Sequence, residues 1–97
     1  MIFIYITCRN KKEAERIGLH LVEKRLAGCC VNFPVESIYR WDNKIEKTKE
    51  VVLIVKTIKK NFEKVEKEVK KLHSYKTPCI LEIPIGRGNR DYLDWYR

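Results

Sequence analysis

The sequence predicts an α+β domain in which two strand–helix–strand units are joined by a long β-hairpin. Three observations support this prediction: the order of elements repeats once, both helical segments are amphipathic, and an Asp-Asn pair separates two long strand-like segments. Two such units assemble as the ferredoxin-like split βαβ sandwich, an antiparallel sheet of four strands with both helices on one face. With 97 residues, the chain is expected to form one domain over residues 1–97.

The first unit opens at residues 2–7 with an apolar segment rich in β-branched and aromatic residues, which is typical of a central strand. Asn10 stands three residues before Glu13, a pattern close to a capping box, and therefore marks the start of the first helix. Gly28 is expected to end this helix because glycine tolerates a left-handed conformation. The apolar face predicted for the helix consists of Ala14, Ile17, Leu21, Val22 and Leu26.

A hairpin follows, with strands predicted at residues 29–41 and 44–57. Asp42 and Asn43 tolerate positive φ angles and are expected to close a tight turn between these strands. Pro34 cannot donate a ladder hydrogen bond, which indicates a bulge or an edge position and a bend in the strand. The second half of the later strand is apolar on both faces, so it is predicted to lie inside the sheet.

The second helix is predicted from apolar residues at helical spacing among Lys and Glu residues that form a solvated face. Its buried face is expected to contain Phe62, Val65, Val69 and Leu72. A fourth strand is predicted at residues 77–85, where Pro78 and Pro84 favour an edge position. Residues 91–96 are expected to form one or two final helical turns.

The hairpin ribbon at residues 37–46 is longer than a domain of this size can cover. A chain of 97 residues buries only roughly 60 to 68% of the surface that its unfolded form exposes, so subunits that extend the core would add stability. We therefore expect the ribbon to lie against another subunit.

The composition limits the environment and the partners of the chain. The net charge is +8 and 35% of the residues are charged, which suits a solvated surface and would also attract nucleic acid. No apolar run is long enough to span a bilayer, and the first residues lack the pattern of a secretory leader. Four irregularly spaced cysteines do not suggest a disulfide framework. We expect a cytoplasmic protein with reduced thiols and no membrane contact.

Five segments, in order and at matching spacing, resemble the motifs of one family, the CutA1 divalent-cation tolerance proteins. They are RLAGCCVN at residues 25–32, YRWDNKIE at 39–46, EVVLIVKT at 50–57, LHSYKTP at 72–78 and DYLDW at 91–95. The chain departs from the family pattern at Arg40, where the family has Trp, at the two turn residues that follow Trp41, and at Ser74, where Pro is usual. The resemblance covers nearly the whole chain and also implies the ferredoxin-like fold.

The resemblance implies a non-enzymatic homotrimer that binds metal ions and is involved in divalent-cation tolerance, notably to copper. Copper or another divalent cation would then be the bound ion, and no obligatory cofactor is expected. The long hairpins would pair across subunits, which agrees with the prediction made from the length of the ribbon. Tyr39 and Trp41 alternate onto one face of the ribbon and are expected to fill the trimer interface.

The metal ligands are expected among one histidine and the cysteines. His73 matches the family histidine and would either ligate a transition metal or meet the negative end of the second helix. Cys29 and Cys30 are adjacent, so on a strand their side chains face opposite ways and do not readily chelate one ion together. One thiolate from each subunit would still suit a soft metal, as would Cys8 or Cys79, and packing as small hydrophobes is the alternative.

A second site is expected in a cleft between subunits, near Arg25, Glu50, Lys56 and Tyr75. Glu50 interrupts an otherwise apolar strand and needs a partner, for which Lys56 and Arg25 are the candidates. The cleft supports an alternative function, a PII-like trimeric regulator that binds a small anionic ligand.

Two further classes are weighed from motifs alone. A basic nucleic-acid-binding module is retained as an alternative, although the third strand lacks the aromatic signature of RNA-binding modules, so nucleic acid is not the expected partner. The sequence contains no nucleophile elbow, metalloprotease motif or phosphate-binding loop. We therefore predict no enzymatic activity.

Overall fold

The computed structural model describes residues 1–96 and confirms the predicted α+β fold. Its strands are β1 (Ile2–Cys8), β2 (Cys29–Trp41), β3 (Lys44–Thr57) and β4 (Ile80–Pro84). Its helices are α1 (Lys11–Glu23), α2 (Phe62–Leu72), which a short 3₁₀ segment (Lys59–Asn61) precedes, and α3 (Arg90–Trp95). The strands pair antiparallel in the order β2-β3-β1-β4, which is the ferredoxin-like split βαβ topology. No helix within residues 1–96 is long and apolar enough to cross a membrane.

One face of the sheet packs against α1 and α2 and forms the hydrophobic core. Alternate residues of β1 point to this face and are buried, namely Ile2, Ile4, Ile6 and Cys8. The helices contribute Ala14, Ile17, Leu21, Val65 and Val69, and Phe62 and Leu72 pack at the border of this core. These residues confirm most of the two predicted helix faces, but Val22 is 39% exposed and Leu26 lies beyond the end of α1.

The opposite face of the sheet, called here the open face, is also apolar. The strand register places on it the side chains of Phe3, Tyr5, Val31, Phe33, Leu81 and Ile83. Leu81 is 57% exposed and Phe33 is 44% exposed. Because α1 and α2 both lie on the other side, the chain itself leaves much of this apolar surface in contact with water.

The end of α1 differs from the prediction that Gly28 terminates it. The helix ends at Glu23, and Arg25 adopts the left-handed conformation with φ 61°, whereas no glycine in the described chain has a positive φ. The Arg25 N–H donates to the Val22 carbonyl at 3.0 Å and the Leu26 N–H to the Leu21 carbonyl at 2.9 Å. These two bonds form a Schellman-type C-cap, which usually has glycine at the position of Arg25. The start of α1 is as predicted, because the Asn10 side chain accepts from the Glu13 N–H at 2.9 Å.

The hairpin has the strand bounds and the turn that the sequence predicts. Asp42 and Asn43 have φ angles of 49° and 64°, as a tight turn of the I′ class requires. Pro34 pairs opposite Val51 in an uninterrupted register, so an edge position without a bulge accommodates the proline. Pairing between β1 and β3 ends at Cys8 and Val51. From there to the hairpin turn, β2 and β3 extend as a ribbon that has no other neighbouring strand within residues 1–96. The ribbon is as long as predicted, and its cover by another subunit stays a prediction.

The fourth strand is shorter than predicted, whereas the final helix has the predicted length. Only Ile80–Pro84 pairs with β1, because the predicted residues 77–79 continue past the last ladder pair, Ile6 with Ile80. The predicted edge position of this strand is confirmed in the order of the sheet. The final helical turns are present as α3.

Candidate metal centre and neighbouring cavities

Three side chains with metal-ligating atoms meet where β1 ends. The Cys8 thiol, a Glu13 carboxylate oxygen and a His73 ring nitrogen lie within 4.8 Å of one another. Cys8 is the last residue of β1 and points to the helix face, Glu13 lies in the first turn of α1, and His73 directly follows α2. We call this group the Cys-Glu-His cluster. It is almost completely shielded from solvent, with the His73 and Glu13 side chains 0% and 6% exposed.

Both ring nitrogens of His73 are engaged. Nε2 lies 2.8 Å from the Thr7 carbonyl oxygen, and Nδ1 accepts from the Tyr75 backbone N–H at 3.0 Å. A carbonyl only accepts and a backbone N–H only donates, so Nε2 carries the proton and the imidazole is neutral. His73 is the C-cap residue of α2, as the structural alternative predicts, and its backbone N–H donates to the Val69 carbonyl at 2.8 Å. Its ring, however, bonds β1 and the loop after the helix. A metal ion would therefore have to replace one of these two hydrogen bonds.

The Glu13 carboxylate accepts hydrogen bonds from two backbone N–H groups. Its Oε1 accepts from the Arg9 N–H and its Oε2 from the Ser74 N–H, each at 2.8 Å. Burial alone would raise the pKa of this carboxyl, but the hydrogen bonds from Arg9 and Ser74, with a smaller contribution from His73, leave its pKa below 4.5. Glu13 is therefore an anion at neutral pH, held by the chain segments on either side of the cluster.

Cys8 is protonated at neutral pH in the absence of an ion. Burial, and then the negative charges of Glu13 and Glu50, raise the pKa of its thiol to about 12. A bound cation would reverse this situation, because a metal-bound thiol loses its proton. The cluster thus offers one carboxylate, one neutral imidazole and one thiol that becomes a ligand only when it releases a proton.

Cys29 and Cys30, the other predicted metal ligands, lie away from the cluster. Cys30 faces α1, because a Cβ added to Gly18 of that helix would lie 3.3 Å from the Cys30 Cβ. Side chains alternate along β2, so Cys29 points to the open face. Burial raises the pKa of the Cys30 thiol to about 12. Within residues 1–96, the Cys-Glu-His cluster is the one set of three potential ligands close enough for a single ion. One chain therefore pairs His73 with Cys8 and Glu13, and a site built from Cys29 or Cys30 of several subunits stays a prediction.

A cavity of about 460 Å³ lies beside the cluster and contains two of the four predicted cleft residues. Tyr75 donates its hydroxyl to Glu50 Oε2 at 2.7 Å, and the Ser37 hydroxyl donates to Glu50 Oε1 at 2.6 Å. Burial and the hydrogen bond to Glu50 raise the pKa of Tyr75 above its usual range. The lining residues are Thr7, Arg9, Tyr39, Trp41, Thr48, Glu50, Tyr75, Thr77 and Cys79. We call this space the Glu50 cavity.

The remaining two predicted cleft residues lie elsewhere in the chain. Lys56 donates to the Tyr92 hydroxyl at 3.2 Å and lies over the Tyr92 ring, 5.4 Å from its centre, whereas Arg25 lines a different cavity. Within residues 1–96, the Glu50 carboxylate is hydrogen-bonded to the Ser37 and Tyr75 hydroxyls, and neither Lys56 nor Arg25 pairs with it. Pairing of Glu50 with Lys56 or Arg25 of another subunit stays a prediction.

The predicted interface residues Tyr39 and Trp41 lie on the ribbon, on the side of the Glu50 cavity. The Tyr39 hydroxyl lies 2.9 Å from the Thr48 hydroxyl across the ribbon, and Trp41 is 65% exposed. Both rings are thus available to another chain, and their role in a trimer stays a prediction.

The strand order and the two helices on one face of the sheet place the chain in the class of ferredoxin-like α+β domains. The model of one family, described as CutA1 divalent ion tolerance protein, matches residues 2–97. The chain belongs to this family, as its motifs predict.

Relatives from archaea, bacteria and animals support the assignment. The chain is 52% identical over 93 residues to the divalent-cation tolerance protein CutA of Archaeoglobus fulgidus, covering 96% of this chain and 91% of that protein. It is 43% identical over 95 residues to the Thermus thermophilus protein of the same name, with 97% and 92% covered. It is 37% identical over 94 residues to human protein CutA, covering 96% of this chain and 52% of the human protein.

Solved structures agree with the fold over the whole chain. The structure of the A. fulgidus protein, which is described as a periplasmic divalent cation tolerance protein, matches with a TM-score of 0.94 and 50% identity. The match covers 99% of this chain and 95% of that one. The T. thermophilus structure matches with a TM-score of 0.93 and 42% identity, covering 100% and 96%.

Proposed function

We propose that the protein is a non-enzymatic homotrimer that binds copper or a divalent cation in a reducing, cytoplasmic environment. The observation that carries the ion-binding part is the Cys-Glu-His cluster. Membership of a family described as divalent ion tolerance proteins supports the same conclusion. The assembly rests on a separate observation, the apolar open face.

The open face and the ribbon favour association with further copies of the chain. Exposed apolar residues on several neighbouring strands form a continuous surface, which in soluble proteins usually marks an interface. Strands β2 and β4 are both edge strands, and pairing between chains would satisfy their unpaired backbone groups. A symmetric closed ring of copies would cover both features.

The donor set of the cluster fits a borderline or soft cation. Thiolate and imidazole ligands suit copper and zinc, and a carboxylate adds a negative charge that compensates for burial. Binding requires the Cys8 thiol to release a proton and His73 to release one hydrogen bond. Each step has a cost, so ion affinity should depend on pH and should be accompanied by a local change near Tyr75.

The test is an anaerobic titration of the reduced protein with Cu(I) against a calibrated chelator, while light scattering records the mass of the same sample. We expect a trimer that binds one ion per chain. Because one thiol proton leaves with each ion, apparent affinity should rise about tenfold per pH unit between about pH 6 and pH 8. A parallel titration with Zn²⁺ tests whether a divalent ion uses the same ligands.

Two variants locate the ion. Cys8→Ser removes the thiolate from the cluster and should abolish tight binding, whereas Cys30→Ser, a matched loss of another buried thiol, should leave it unchanged. Circular dichroism checks that both variants fold. Loss of binding in Cys30→Ser but not in Cys8→Ser would assign the ion to the predicted cysteine pair instead. Unchanged binding in both variants would remove the cluster from consideration.

A second candidate function is binding of a small ligand in the Glu50 cavity, as a PII-like regulator would do. One observation favours it: the Arg9 guanidinium lies 5.5 Å from the centre of the Tyr75 ring at this cavity, which Glu50 also lines. A positive and a negative group in one cavity suit a small polar ligand that carries an ionised group. If Cu(I) and Zn²⁺ both fail to bind while Tyr75→Phe changes the retention of a co-purified small molecule, this candidate replaces the first.

A further inference from the structure

A second cavity, separate from the cluster and from the Glu50 cavity, lies between the α1–β2 loop and α3. Its volume is about 500 Å³, which lies within the usual range for sites that bind small molecules. We call it the Arg25 cavity. Its lining residues are Val22, Arg25, Leu26, Ala27, Gly28, Thr57, Ile58, Asn61, Trp95 and Tyr96.

Among the described residues that line this cavity, Arg25 is the single charged one. Its φ of 61° is unfavourable for a residue with a long side chain, and glycine or asparagine would satisfy the same C-cap with less strain. Within residues 1–96, no hydrogen bond or ion pair to the Arg25 guanidinium is present. A cation held on a strained backbone, without a partner among residues 1–96, indicates a role that only its side chain performs.

Two aromatic side chains, Trp95 and Tyr96, also line the cavity. Trp95 is 65% exposed, and its ring lies edge-on to that of Tyr96, with 5.0 Å between the ring centres. Gly28 allows this arrangement, because a Cβ at that position would lie 2.5 Å from the Tyr96 ring. The cavity therefore offers exposed indole surface close to a free cation.

Hydrogen bonds connect several residues that line the cavity. The Thr57 hydroxyl donates to the Leu26 carbonyl at 2.6 Å, and the Asn61 amide donates to the Thr57 hydroxyl at 3.1 Å. These bonds join the loop that carries Arg25 to the end of β3. A ligand would thus meet a preformed site, which lowers the entropic cost of binding.

We propose that the Arg25 cavity binds a planar organic anion, with its aromatic ring against Trp95 and its carboxylate or phosphate on Arg25. Guanidinium groups bind both kinds of anion through paired hydrogen bonds, and stacking on an aromatic ring adds to the affinity. This site does not depend on the ion-binding function, since it shares no residue with the Cys-Glu-His cluster. Two sources supply such anions, nucleotides and aromatic carboxylic acids.

The indole N–H signals of the two tryptophans provide the test in a ¹⁵N-labelled protein. Adenosine monophosphate and benzoate are titrated as the two anion probes, with adenosine and inorganic phosphate as matched controls. We expect at least one anion probe to shift the Trp95 signal saturably while the Trp41 signal, on the distant ribbon, stays in place. Adenosine alone and phosphate alone should bind about tenfold more weakly or worse, since each lacks one half of the interaction.

Two variants test whether binding of the anion depends on the Arg25 charge and not on an effect of the substitution on the fold. Arg25→Asn removes the guanidinium, and asparagine tolerates positive φ, so this variant should fold normally. Its affinity for the anion probe that binds the parent protein should fall about tenfold or more. Lys12→Asn removes an equal charge at the opposite end of α1 and should change affinity less than about twofold. Equal shifts at Trp41 and Trp95, equal binding of adenosine and its monophosphate, or unchanged binding in Arg25→Asn would each overturn the proposal. No shift with either anion probe would do the same.

Discussion

The two faces of the sheet are built from the same strands and the same kinds of residue, but they meet different surroundings. On the helix face, Ile4 and Ile6 of β1 are fully buried, whereas on the open face Leu81 of β4 is more exposed than covered. Apolar residues on both faces of a strand indicate burial on both sides. Within residues 1–96, α1 and α2 cover one face, whereas much of the other face is exposed. Under the proposed function, a second chain covers that exposed face.

The hairpin shows the same contrast along its length. Its inner half, which pairs with β1, contains the buried residues Val51, Val52, Leu53 and Val55. Its outer half has no neighbouring strand and exposes Ile38, Trp41 and Ile45. One continuous ladder therefore passes from a domain core into a surface that, under the proposed function, belongs to the interface of a trimer.

A charge on the open face should have the largest effect if this comparison is correct. Phe33→Asp places a carboxylate where another chain would have to bury it, and the cost of burying an unpaired charge should dissociate the trimer into single folded chains. Light scattering measures the mass and circular dichroism the fold. Leu19→Asp is the matched control, since Leu19 is 61% exposed on α1, away from the open face, and this variant should stay assembled. A trimeric Phe33→Asp variant would refute the use of this face.

A deletion in the helix-face core should have the next largest effect. Ile6→Ala removes buried methyl and methylene groups where the side chain is fully buried, and should lower the free energy of unfolding by about 3 kcal/mol. Leu19→Ala, on the exposed surface of α1, should change it by less than about 0.5 kcal/mol. Denaturant unfolding at a single protein concentration measures both, because the stability of an oligomer depends on concentration. Equal losses in the two variants would contradict the assigned core.

The turn of the hairpin should show the smallest of these effects. Asn43 has a φ of 64°, so Asn43→Val forces a β-branched residue into the left-handed region at a cost of about 1 to 2 kcal/mol. Asn43→Gly keeps the conformation accessible and should be nearly neutral. The same unfolding measurement compares them. If the valine variant is as stable as the parent, the tip of the ribbon is not rigid and the proposed interface would have to form without it.

Much of the fold follows from local sequence. Asp42 and Asn43 locate the hairpin turn, and the apolar alternation on either side locates both strands, because turn chemistry and side-chain period are properties of neighbouring residues. The end of α1 was predicted at the wrong residue because local signals alone were used. Gly28 is the usual signal for a left-handed cap, but the contacts of the native loop place that conformation at Arg25, three residues earlier.

The candidate metal centre follows from the sequence only in part. His73 is predicted as a ligand from the family motif, but its partners in the structure are Cys8 and Glu13. Glu13 was recognised for its position in a helix cap, which gives no sign that its carboxylate also reaches the loop after α2. Burial of the Glu13 side chain would have revealed this second role. A cap motif shows only that an acidic residue lies in the first helical turn and does not show whether it is buried.

The sequence alone determined the class of fold, the hairpin and the family, because each depends on local patterns and on the order of motifs along the chain. The tertiary structure decided which distant groups meet: Glu50 with Tyr75, and His73 with Cys8 and Glu13. These pairs join β3 or β1 to distant segments, and the contact between His73 and Thr7 near the end of β1 spans 66 residues. Strand register and helix packing bring such groups within hydrogen-bonding distance, and no pattern of neighbouring residues carries that information.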